Sequence, residues 1–157
     1  METWSDQLAR VERWLERVRD IRDVKRVGGN LELEDEVRAF FFECWHLRDY
    51  LFQGAAPLCT KAEVEAHVAR CPALLICADL CNGAKHFIRD AGSIRSGADR
   101  RQRTTGIEVI INDSWGGESE PTTCGLHIVV EPGGESAFDI AEDAVRHWKA
   151  LIAMHGG

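Results

Sequence analysis

The sequence predicts an α+β fold: a mainly helical bundle with a β-hairpin inserted before its last helix. Three observations carry this. Apolar residues recur at spacings of three and four through most of the chain, which is the period of helices buried on one face. Two β-branched runs, 107–111 and 126–130, break that period and flank a turn-rich stretch. The 157 residues fit one domain by a yardstick of about 150. A content of 45% hydrophobic and 29% charged residues belongs to globular rather than disordered chains. Residues 1–157 are therefore expected to form a single domain.

The first helix is expected over about 4–25, with Trp4, Leu8, Val11, Leu15, Val18 and Ile21 on one stripe and Arg and Glu opposite. Gly28-Gly29-Asn30 should end it. The second helix is expected over about 33–52, where Val37, Phe40, Phe41, Cys44, Leu47 and Leu51 form a stripe. At about 100° per residue, Phe42, His46, Asp49 and Tyr50 point roughly opposite Cys44. A helix apolar on both sides must be covered on both, in a bundle centre or by a second copy of the chain. A homodimer is expected on this ground.

A loop at Gly54-Ala-Ala-Pro57 leads to helical sequence over about 60–89, in two pieces. Thr60 and Glu63 form a capping box that opens the first piece, and Pro72 suits the first turn of the second. The stretch 90–106 holds three glycines and an arginine cluster and should be an exposed loop. A hairpin is expected over about 106–131, closed by Pro132-Gly-Gly134. Ser136 should cap a last helix over about 136–153 that carries Phe138, Ala141, Val145, Trp148 and Ile152.

Nineteen basic against 26 acidic residues give a net charge of −7, which argues against non-specific nucleic-acid binding over the whole surface. Arg89, Arg95, Arg100, Arg101 and Arg103 nevertheless crowd one segment, a candidate anion-binding patch, and Trp115 in the hairpin turn is a candidate base-stacking residue. No apolar run approaches the roughly 20 residues of a membrane span. The acidic start, Met-Glu-Thr-Trp-Ser-Asp, is unlike a secretory signal, so a cytoplasmic protein without membrane contact is expected. The six cysteines should then stay reduced and pack as small hydrophobes. Neither His-x-x-x-His nor Cys-x-x-Cys occurs, so no metal site and no cofactor are expected. The glycine pairs fit no phosphate-loop pattern, and neither Ser114 nor Ser136 has the surroundings of a nucleophile elbow.

The chemically informative segment is Ala-Leu-Leu-Ile-Cys-Ala-Asp-Leu-Cys-Asn-Gly-Ala-Lys-His-Phe, residues 73–87. Asp79, Asn82 and His86 share an arc of about 60° on an otherwise apolar helix. His46, Asp49 and Tyr50 form a matching set on the second helix. Two readings stand. In one, His86 is an acid or base, Asp79 or Asp49 orients it, Asn82 donates a hydrogen bond, and His46 completes the pocket. In the other, the same groups form a satisfied polar network that fixes helix register or an interface.

The run Cys81-Asn-Gly-Ala-Lys-His86 resembles the motif of HEPN domains, in which an Arg, often followed by a polar residue, precedes a His by four to six positions. The segment Cys44-Trp-His-Leu-Arg-Asp-Tyr-Leu51, followed by Ala78-Asp-Leu-Cys-Asn-Gly-Ala-Lys-His86, is also similar to small bacterial proteins of that general build. The resemblance covers the helical two thirds of the chain and implies a metal-independent ribonuclease that acts as a dimer in toxin or defence systems. His86 matches the family histidine and Asn82 the polar residue, whereas Cys81 stands at the arginine position. Cysteine cannot make the bidentate phosphate contact of arginine. Arg48 and Arg89 are the nearby candidates to replace it. The alternative is a non-catalytic module that dimerises or binds a ligand or partner protein.

Overall fold

The computed structural model describes residues 2–23, 30–85, 106–112, 123–130 and 133–156. The chain is mainly helical. Helix α1 (Trp4–Arg22) opens on a capping box in which the Thr3 hydroxyl accepts from the Asp6 amide and the Asp6 carboxylate accepts from the Thr3 amide. Its predicted stripe is buried at Val11, Leu15, Val18 and Ile21, joined by Gln7. Helix α2 (Asn30–Gln53) begins before the expected 33. Asn30 starts a helix instead of ending one, as suits a residue favoured at helix N-termini, and Glu32 in the first turn complements the helix dipole.

Helix α3 (Lys61–Val68) carries the predicted Thr60–Glu63 capping box. A tight corner follows, with the Cys71 amide donating to the Val68 carbonyl at 3.0 Å. Helix α4 (Pro72–Lys85) begins at the predicted proline, and the expected continuation over 86–89 lies outside the described residues. Helix α5 (Ala137–His155) is capped by Ser136, whose hydroxyl accepts from the Asp139 amide.

Three strands separate α4 from α5: β1 (Gly106–Asn112), β2 (Thr123–Val130) and β3 (Gly133–Ser136). They pair antiparallel in the order β1-β2-β3, with Val109 opposite Leu126 and Val130 opposite Gly133. Pro132-Gly-Gly134 was expected only to close a turn, yet Gly133 and Gly134 are strand residues paired with Val130 and Val129. The turn predicted around 113–122 lies outside the described residues.

Helix α2 is the centre of the bundle and lies against α1, α3, α4 and α5. One hydrophobic cluster runs through all five helices, with Phe40, Phe41, Leu47, Leu74 and Trp148 fully buried. The Trp148 indole N–H donates to the Cys44 carbonyl at 3.0 Å and ties α5 to α2. Trp45 is buried and Phe42 packs against the same cluster. The two-sided apolar character of α2 is thus covered by the chain's own helices among the described residues, and the one exposed large hydrophobic residue there is Met154. Of the two coverings left open for α2, the bundle centre is the one that the described helices supply. Cys44, Cys59, Cys71, Cys77 and Cys81 are all buried and free, and Cys124 has no described side chain. Among the described residues no helix is long and apolar enough to cross a membrane.

Candidate functional site

The polar set on α2 lies at two seams. Toward α1, His46, Asp49 and Tyr50 line a cleft of about 290 Å³ together with Gln7, Arg10 and Glu43. Gln7 is fully buried, and its amide donates to both the backbone carbonyl and the carboxylate of Glu43, at 2.9 and 2.8 Å. Arg10 donates to the Gln7 side-chain oxygen at 2.7 Å and to Glu2 at 2.5 Å. The Tyr50 hydroxyl donates to Glu2 at 3.0 Å, and this bond to a carboxylate raises the phenol's pKa. The Glu2 carboxyl is held below its ordinary range chiefly by its hydrogen bond from Arg10.

Toward α4, the His46 imidazole Nε2 lies 3.9 Å from the Cys81 thiol. The structure thus brings the α2 histidine to the first residue of the motif on α4. Asp79, two residues earlier, is buried, and Asn82 is half-buried. His86 lies outside the described residues, as do Arg89, Arg95, Arg100, Arg101, Arg103 and Trp115.

Arg48 is committed elsewhere. Its guanidinium donates to Asp49 at 2.9 Å, pairs with Glu65 of α3 at 3.4 Å and stacks over Trp45 at 4.6 Å. Asp49 accepts that bond while also lining the α1 cleft. The arginine lining the same cleft as His46 is Arg10, which sequence reasoning missed along with Gln7 and Glu43. The available signal was Gln7, a polar residue four positions before Val11 on the buried stripe of α1.

A second cluster was missed entirely. His67 near the end of α3, Cys71 at the α3–α4 corner and His147 on α5 place their donor atoms within 4.8 Å of one another. The Cys71 sulfur is 3.3 Å from His147 Nδ1 and 3.7 Å from His67 Nε2. His67 Nε2–H donates to the His147 carbonyl at 3.0 Å, and the His67 ring stacks on Trp148. His147 Nε2 faces the Asp143 carboxylate at 3.5 Å. Burial pushes the Cys71 thiol pKa up and the His67 pKa down, the latter opposed in part by the bond to the carbonyl. Only the spacing His67-x-x-x-Cys71 was legible in the sequence, because His147 joins through the fold.

No family model, curated protein or solved structure matches the chain.

Proposed function

We propose that the chain is a HEPN-like, RNA-directed domain of toxin or defence type that acts as a homodimer in the cytoplasm. Its site is placed at the α2–α4 seam. The observation that supports this is the 3.9 Å approach of His46 to Cys81, which joins the α2 polar set to the segment resembling the family motif. His86 is the proposed acid or base, Asn82 and Asp79 position it, and His46 and Asp49 complete the polar surround. The arginine-rich stretch that follows, with Trp115, would supply phosphate contacts and stacking.

A second reading, a non-catalytic dimerisation or partner-binding module, is favoured by two observations. Cys81 occupies the arginine position, and Arg48 is already engaged by Asp49 and Glu65.

The test is cleavage of single-stranded RNA without added divalent metal. The enzyme reading expects weak cleavage by the wild type, a loss of 10²–10⁴-fold in His86→Ala and a gain in Cys81→Arg. Cys81 is buried, so a thermal melt must show that Cys81→Arg still folds. Silence from both the wild type and a folded Cys81→Arg, with His86→Ala merely less stable, would leave the binding module standing.

A further inference from the structure

We propose that His67, Cys71 and His147 form a binding site for a zinc-type divalent ion that links the α3–α4 corner to α5. The site is independent of the function proposed above. Among the described residues this is the one group of three potential ligands whose donor atoms converge. Two imidazoles and a thiolate select a borderline-soft ion over magnesium or calcium, which take oxygen ligands.

The sulfur–nitrogen distances suit zinc. Zinc–sulfur and zinc–nitrogen bonds of about 2.3 and 2.05 Å at a tetrahedral angle put sulfur and nitrogen about 3.6 Å apart. The two sulfur–nitrogen separations here, 3.3 and 3.7 Å, bracket that value. A hydrogen-bonded Cys–His pair alone would account for the first of them. The second brings another imidazole nitrogen to the same sulfur, beside its bond to the His147 carbonyl.

The surroundings add a second feature of metal sites. Histidine ligands commonly turn their other ring nitrogen to a carboxylate, which fixes the tautomer and strengthens the donor. Asp143, one helical turn before His147, stands in that place against Nε2. His147 therefore keeps its Nε2 proton toward Asp143 and presents the Nδ1 lone pair to the ion. Cys71 would release its thiol proton to solvent on binding. His67 would move its ring proton from Nε2 to Nδ1 and give up its bond to the His147 carbonyl.

Three protein ligands leave a fourth position for water. His147 is only half-buried, and Asp143 and Pro72 line an adjoining cleft of about 370 Å³. The ligands come from segments far apart in sequence, so the ion would join the short α3 to the C-terminal helix.

The experiment titrates the reduced, metal-free full chain with zinc against a chromophoric chelator, and separately with cobalt. One ion per chain is expected. The cobalt form should show a thiolate charge-transfer band and the visible bands of tetrahedral coordination. Cys71→Ser should abolish the charge-transfer band and tight binding, whereas Cys59→Ser should change neither. Asp143→Asn, at a partly exposed position and so safe for folding, should weaken affinity 10–100-fold. Absence of stoichiometric binding by the folded wild type would overturn the proposal. So would a cobalt spectrum unchanged in Cys71→Ser, or an affinity unchanged in Asp143→Asn.

Discussion

Trp148 shows how one side chain joins distant parts of the chain. It is fully buried on α5, donates its indole N–H to the Cys44 carbonyl of α2 and stacks on His67 of α3. Trp148→Phe removes the donor and part of the volume while keeping an aromatic plane. A loss of about 1–2 kcal/mol is expected, combining one hydrogen bond with a small cavity. Urea unfolding checks it, and the denaturant slope should not change. Trp148 as a core residue was legible from its place on the stripe of the last helix. Its bond to Cys44 was not, because hydrogen bonds between residues 104 apart leave no local pattern. The burial of Gln7 was illegible for a related reason. A polar residue on an apolar stripe can be buried only if the fold supplies partners, and for Gln7 these come from Glu43 on another helix.

Helix starts were more legible than helix companions, because a cap is a local device. The Thr60–Glu63 box announced α3, and the Thr3–Asp6 box at α1 does the same work with a shorter acid. Thr60→Ala should cost about 0.5–2 kcal/mol. Because α3 has only eight residues, much of that cost should appear as local opening rather than global unfolding. Hydrogen exchange should speed up at the α3 amides while those of α2 keep their protection; uniform acceleration would show that α3 does not open alone. At the other end of α2, a Cβ on Gly54 would lie 2.6 Å from the Tyr50 carbonyl, so the backbone itself must shift to accept one. Gly54→Ala is therefore expected to be destabilising, against the usual gain from reduced chain entropy, with a lowered Tm as the readout. That α2 must be covered on both sides was legible in its two-sided apolarity. Which elements cover it was not, since one stripe pattern serves a bundle centre and a subunit interface equally well.

At the scale of the whole molecule, the first and last helices are held together by charge as well as by core packing. Arg19 donates through two nitrogens to the two oxygens of Glu142, both at 2.6 Å, Arg22 stands 3.7 Å from the same carboxylate, and Lys149 pairs with Glu12 at 2.6 Å. The bond from Arg19 is the main reason the Glu142 carboxyl sits below its ordinary pKa of 4.5. A carboxyl with a lower pKa in the folded state binds fewer protons there than in the unfolded chain. Its contribution is therefore present above about pH 4.5 and lost as the pH falls through the folded value. The pair is about one-third exposed, which holds its worth to less than about 1 kcal/mol and makes it sensitive to salt. Glu142→Gln should therefore unfold at a lower urea concentration than the wild type near pH 7. The gap should shrink with added salt and narrow at an acid pH below 4.5, as the wild-type carboxyl takes up its proton. Paired urea titrations of the two proteins at both pH values measure this directly. A gap that persisted undiminished in acid would mean that Glu142 acts through packing between α1 and α5 rather than through its charge.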